Sequence, residues 1–384
     1  MPTPSRDPCI SLLRDLVAID SVNPSLVPGG AGEGAIAAAI AAHLRRLGVD
    51  VTLQEAAPGR PNVIGVLDGR APGPSLMLCG HIDTVGVDGM RNPFEPHERD
   101  GRLFGRGSQD MKGGVAAMID AARVVAERGL PRGRLIVAAV VDEEYASIGA
   151  DVLVTQWSAD MAVVTEPTDL QIAVGHKGFA WIDVVTHGRA AHGSRPREGR
   201  DAIVRMGRVL GRLEALDREL QSRPPHPLMG TGSLHASIVS GGRELSSYPD
   251  RCALQYERRT IVGEDGPQAE REIQDILRAL RADDAEFAAD ATLTFSRPPY
   301  ELPQGHPLPA ALAASTPNRT AGVVGMSFWT DAAVLGHAGI PTVLFGPGGA
   351  GLHSTEEYVN LDDVVACRDA LAELTLRIGD LVSR

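Results

Sequence analysis

Five segments of this chain offer side chains that hold metal ions: His81, Asp110, the pair Glu143-Glu144, Glu166 and His353. Each follows an apolar run or a glycine-rich turn. Two histidines with three carboxylates form a mixed nitrogen and oxygen donor set suited to zinc or a similar divalent ion. Five such ligands exceed one tetrahedral catalytic site. They suit two ions sharing a bridging carboxylate, typically ~3.5 to 4 Å apart. In Leu78-Cys79-Gly80-His81-Ile82-Asp83, residues i and i+2 share one face of a strand. Asp83 can then bond one ring nitrogen of His81 and leave the other aimed outward, as in an oriented metal-ligating histidine. Glu143 and Glu144 are neighbours at a strand end and point in different directions. One can bind an ion while the other acts on water as general base.

Taken singly, each residue has a plainer reading. Asp110 precedes a predicted helix and can cap it, Glu166 stands before Pro167 in a turn, and His81 with Asp83 can be a buried hydrogen-bonded pair. What favours one shared site is that the candidates recur at strand exits, where ligand-binding residues of open α/β sheets gather.

The elements that must position them alternate. Helical periodicity covers about 8–19 and 33–47, followed by β-rich runs at 49–54, 62–68 and 75–80, a helix over 111–127, strands at 134–141 and 161–165, and a short helix near 147–156. This predicts an α/β fold, a largely parallel sheet flanked by helices. From 175 to 297 the pattern becomes α+β. A long half-polar strand over 172–186 is followed by a helix at 201–216, further strands across 233–259, a helix at 269–280 and a strand at 291–296. The alternation resumes with a strand at 340–345 and a helix over 361–382. The expected organisation is a discontinuous domain of residues 1–174 and 298–384, interrupted by an inserted domain at 175–297.

At 384 residues the chain exceeds what one core usually serves. A formal net charge of -12 argues against nucleic acid or an anionic membrane as partner. The four cysteines are widely spaced, with no Cys-x-x-Cys pair, and no run of ~18 apolar residues exists to span a bilayer. Residues 1–7 lack a signal-peptide pattern. A cytoplasmic protein acting on small molecules is expected. The only lysines, Lys112 and Lys177, sit inside motif-like segments. Gly30-Ala31-Gly32-Glu33-Gly34-Ala35 mimics a dinucleotide fingerprint, but no strand precedes it, so it reads as a flexible start to a helix. Gly346 to Gly351 lacks the Gly-Lys-Ser/Thr ending of a phosphate loop and reads as a place where backbone approaches a ligand closely.

Six motifs in order, His81-x-Asp83-Thr84-Val85, Gly105-Arg106-Gly107-x-x-Asp110-Met111-Lys112-Gly113-Gly114, Asp142-Glu143-Glu144, Thr165-Glu166-Pro167, Ala191-His192-Gly193-Ser194-x-Pro196 and Gly351-Leu352-His353-Ser354-x-x-Glu357, resemble those of the di-zinc aminoacylase, deacylase and carboxypeptidase family. Acetylornithine deacetylase, succinyl-diaminopimelate desuccinylase and glutamate carboxypeptidase are its members. The resemblance implies a zinc-peptidase-like sheet with an inserted lid and dimerisation domain, and two Zn2+ per subunit, with Co2+ as a substitute. It implies His81 and Glu166 on one ion, Glu144 and His353 on the other, Asp110 bridging, Glu143 as general base and Asp83 orienting His81. His192 would stabilise the oxyanion in the partner subunit's site of a homodimer. Arg258 would bind the substrate carboxylate, with Arg259 as its substitute. Relatives commonly carry an asparagine within the segment matching Leu245 to Asp250, where this chain has Ser246 and Ser247. The implied activity is removal of an N-acyl group from an amino acid, most like acetylornithine deacetylase. The alternatives are a desuccinylase, a carboxypeptidase or dipeptidase, and, outside the class, a metal-free ligand-binding paralogue.

Overall fold

The apolar runs Leu76–Cys79, Leu135–Val141 and Met161–Val164 are buried throughout, because strands at the centre of a sheet covered on both faces have no side facing water. The computed structural model describes residues 7–316 and 321–381. The chain forms two units. One takes the chain up to Val174, then Leu302–Val324 and the chain from Thr330 on; the other is Gly175–Glu301 with Gly325–Trp329.

In the first unit the sheet runs in the order Asp50–Ala57, Arg60–Asp68, Arg134–Val140, Ser75–His81, Met161–Val164, Thr342–Leu344 and Ile172–His176. The middle four strands are mutually parallel, so their carboxyl ends emerge on one side. The flanking pairings are antiparallel, including a hairpin that closes through Pro58 and Gly59. The mixed α/β class expected from the alternation is what forms. Helix Pro8–Val17 is capped by the Asp7 carboxylate, which accepts from the Cys9 amide, and has Pro8 at its first position. Helix Gly113–Arg128 is buried along most of its length. Helix Leu361–Leu376 ends earlier than the 361–382 periodicity suggests, giving way to a short turn at Ile378–Asp380; residue 382 lies outside the described residues. A separate small sheet orders Gly349–Ala350, Tyr358–Asn360, Arg102–Phe104 and His97–Arg99. Its strands are two or three residues long, too short for periodicity to reveal.

The second unit is a four-stranded antiparallel sheet ordered Ser233–Gly241, Arg251–Thr260, Gly178–His187 and Ala288–Arg297. Helices Ala202–Ser222 and Gly266–Asp283 share its apolar core, built on Ile182, Val184, Val209, Leu254, Ile273 and Leu277. Asp201 and Asp265 cap these helices through the Val204 and Gln268 amides. The strand predicted over 172–186 is two strands broken at Lys177, whose amide bonds the Met326 carbonyl and whose ammonium bonds the Thr231 carbonyl at 2.7 Å. Among the described residues, no helix is long and apolar enough to cross a membrane.

Candidate metal centre and active site

At or beyond the carboxyl end of each parallel strand of the first unit lies at least one of the candidate groups. Ser75–His81 ends in His81 itself. Arg134–Val140 runs into Asp142, whose φ of 70° turns the chain so that Glu143 and Glu144 follow side by side. Met161–Val164 is followed by Glu166. Thr342–Leu344 leads through Gly346, where a Cβ would lie 2.3 Å from the Glu166 carbonyl oxygen, toward His353. That close approach is what the Gly346–Gly351 segment provides, and it serves the neighbouring ligand loop.

Asp110 lies in an irregular turn between Ser108 and Lys112. Its backbone is extended, and its carboxylate does not cap the following helix. One carboxylate oxygen lies 3.2 Å from His81 Nε2, and the other lies 3.3 Å from His353 Nε2. Glu166 and Glu143 approach His81 Nε2 at 3.8 and 3.9 Å, and Glu144 approaches His353 Nε2 at 3.2 Å. Two groups with converging donor atoms result, His81-Asp110-Glu166 and Asp110-Glu144-His353, with Asp110 in both.

The electrostatics suit the binding of cations. Burial pushes the Glu143 and Glu166 carboxyls well above the usual range, although His81 pulls the other way. Burial and the nearby Asp110 raise Glu144 to about 7. His353 is pushed up to about 10 by its hydrogen bonds to Asp110 and Glu144. Despite burial, Asp110 is held low by the two histidines. Buried carboxylates crowded in this way are stable only when paired or bound to cations. Glu144 Oε1 is moreover buried without a hydrogen-bond partner. The donor set therefore fits two divalent ions.

Asp83 behaves differently from the simple i, i+2 expectation. His81 Nδ1 lies 3.0 Å from the Asp83 carbonyl oxygen and 3.5 Å from its carboxylate. The carboxylate itself accepts from the Glu143 amide at 3.1 Å, the Glu144 amide at 3.2 Å and Asn23 Nδ2 at 2.7 Å. The carboxylate thus holds the backbone of the glutamate pair, while the histidine is met by the Asp83 carbonyl.

Sequence reasoning assigned no role to Glu357, although it stands in one of the motifs. Fully buried, it accepts from Arg106 Nη1 at 2.7 Å and from the amides of Gly107, Gln109 and Asp110 at 3.0, 2.9 and 3.1 Å. Arg106 also donates to the Ser354 carbonyl at 2.8 Å, so this pair ties the Asp110 turn to the His353 loop.

His192 and Arg258 belong to the second unit. His192 is exposed; its Nδ1 lies 2.8 Å from the Ser194 hydroxyl and 3.2 Å from the Ser194 amide nitrogen. Ser247 pairs with His192 through the backbone and bonds Glu244 by its hydroxyl. Arg258 corrects an expectation. Its side chain is 1% exposed and is committed to Glu264 and Glu272 at 3.1 Å each, so it is not free to meet a substrate carboxylate. Its neighbour Arg259, on the opposite face of the strand, keeps 31% of its side chain exposed, beside Glu257 at 2.6 Å. Alternation already carried the signal: Cys252, Leu254 and Tyr256 set the inward parity that Arg258 shares.

Solved structures share this mixed sheet. A tripeptidase structure from Staphylococcus aureus superposes with a TM-score of 0.82 over 98% of this chain and 99% of that one, at 22% identity. An acetylornithine deacetylase of Edwardsiella ictaluri is 30% identical across 95% of this chain and 96% of its own length. The N-formyl-4-amino-5-aminomethyl-2-methylpyrimidine deformylase of Bacillus subtilis is 29% identical across 94% and 92%. Residues 77–377 match Peptidase family M20/M25/M40, and the chain belongs to that family of hydrolases.

Proposed function

We propose that the protein is a metal-dependent amidohydrolase that removes an N-acyl group from an amino acid, with Glu143 as its general base. The observation that carries this reading is the pair of donor groups sharing Asp110, with the Glu143 carboxylate beside them and belonging to neither. His81 and Glu166 would hold one divalent ion, Glu144 and His353 the other, and Asp110 both. Bound there, zinc or cobalt would polarise a carbonyl and acidify water.

Glu143 takes a proton from the attacking water onto a carboxylate oxygen and returns it to the leaving amine nitrogen. Burial raises its affinity for a proton, and His81 beside it opposes that rise. Asp83 holds the Glu143 amide and so fixes where this carboxylate starts. For the second unit the support is the resemblance together with local chemistry. His192 presents Nε2–H to the carbonyl oxygen as charge develops on it, in the partner subunit's site. Arg259, in place of the buried Arg258, binds the substrate carboxylate. Of the three similar proteins named above, the two compared by sequence are enzymes that by name remove an acyl group, acetyl in one and formyl in the other, which favours a deacylase.

The test is a panel of N-acetyl, N-succinyl and N-formyl amino acids and dipeptides assayed with zinc and with cobalt, on the wild type and on Glu143→Ala. Acyl amino acids should be hydrolysed, and the variant should lose at least ~10²-fold in kcat while keeping both ions. Preference for dipeptides would make it a peptidase, and a Glu143→Ala variant at full rate would remove Glu143 from its role.

A further inference from the structure

The fingerprint-like segment around Glu33 is connected to the metal centre by a buried polar chain. Glu33 and Asn23 are fully buried and Arg60 nearly so. Arg60 Nε donates to Glu33 Oε2 at 2.7 Å, and its Nη2 donates to Glu33 as well. The same Nη2 reaches Asp142 Oδ1 at 2.8 Å and Asn23 Oδ1 at 3.2 Å. Nη1 donates to Ser25 Oγ at 2.8 Å. Asn23 passes the connection on, with Nδ2 donating to Asp83 Oδ2 at 2.7 Å and to Asp142 Oδ1 at 3.1 Å. Its orientation is fixed by these partners, since its oxygen must face the guanidinium and its amide hydrogens the two carboxylates.

Both carboxylates govern the glutamate pair. Asp83 accepts from the Glu143 and Glu144 amides. Asp142 is the left-handed residue at the head of their turn, a backbone conformation disfavoured for residues with a Cβ, and its carbonyl accepts from Ala146 and Ser147 amides. Without Arg60 and Asn23, the buried Asp142 carboxylate would lose its guanidinium partner and both carboxylates the Asn23 amide, leaving the turn with fewer restraints.

We propose that Asn23 and Arg60, held by Glu33, are positioning residues that set the Glu143-Glu144 turn, so that the metal ligand Glu144 and the base Glu143 are aimed by groups that touch neither ion nor substrate. This rests on the reading of Glu143 and Glu144 given above. Outer partners of metal ligands characteristically change affinity or turnover 10- to 100-fold when removed.

The experiment compares wild type, Asn23→Ala and Arg60→Ala, each first shown to be folded by its melting curve. Zinc affinity is measured by competition of the metal-free chain with a chelating dye, and kcat and KM on the best substrate of the panel. Both variants should bind zinc ~10- to 100-fold more weakly and lose at least ~10-fold in kcat, with KM within about 3-fold. Methylguanidinium, which restores the fork, should recover zinc affinity in Arg60→Ala, and methylammonium should not. Should Arg60→Ala fail to fold, Arg60→Lys replaces it and should also bind zinc weakly. Folded variants with wild-type zinc affinity and kcat overturn the proposal, as does equal rescue by the two cations. If instead wild type takes up no zinc, or Glu143→Ala is fully active, it is the reading of the site that fails.

Discussion

At the scale of single residues, the carboxylate of Glu357 holds the Asp110 turn although it belongs to neither donor group. Four donors converge on its two oxygens. In Glu357→Gln one of those oxygens becomes an amide that faces N–H groups, and the buried Arg106 loses its counter-charge. The expected cost is roughly 3 to 5 kcal/mol of stability, the range for breaking a buried pair from one side. It should appear as an earlier urea midpoint, together with weaker zinc binding because the Asp110 amide is released. A midpoint within error of wild type would show that the Arg106–Glu357 pair is dispensable. Residues such as His81, Asp110 and His353 were legible because a histidine or acid at a strand exit is unusual. Asn23, Glu33 and Arg60 were not, since ordinary polar residues acquire meaning only from partners up to 119 positions away.

At the scale of elements, the strand Ser233–Gly241 is an open edge. It pairs on one side with Arg251–Thr260, and its residues from His235 onward are exposed, including Ile238 and Val239 at 60% and 57%. Leu245 beyond it is fully exposed, and Ile203 and Val204 are also exposed. An unprotected apolar edge invites a second strand, which supports the proposed homodimer. Val239→Lys combined with Ile238→Lys should give a monomer by light scattering while leaving melting little changed; a dimer that survives both charges would place the contact elsewhere. The longer helices and central strands were readable from periodicity. The break at Lys177 was not, because the residues on either side continue the same β pattern and the interruption comes from a bond to Met326, far along the chain.

At the scale of the whole molecule, the proposed metal centre gathers residues 81 to 353, so an unfolded chain offers no such site. An ion that binds only the folded form stabilises it by RT ln(1 + [L]/Kd), about 2.7 kcal/mol at a hundredfold excess over Kd. Calorimetry on chelated and zinc-supplemented protein should therefore show a higher melting temperature with zinc, and His81→Ala with His353→Ala should remove the difference. No shift in the wild type would count against the proposed centre. The alternation of helices and apolar strands made the α/β class legible, whereas strand order was not, because neighbours such as Arg60–Asp68 and Arg134–Val140 are joined only through space.

Strand order also bears on how the chain is made. Thr342–Leu344 occupies the slot between Met161–Val164 and Ile172–His176. During synthesis the two walls of that slot leave the ribosome some 165 residues before the strand that fills it. Until it is made, Met161–Val164 and Ile172–His176 lack the partner that each has in the folded protein, and His353, a proposed ligand, is absent as well. The pairings that complete the sheet, and with them the site proposed around His353, therefore belong to the last part of the chain to be synthesised.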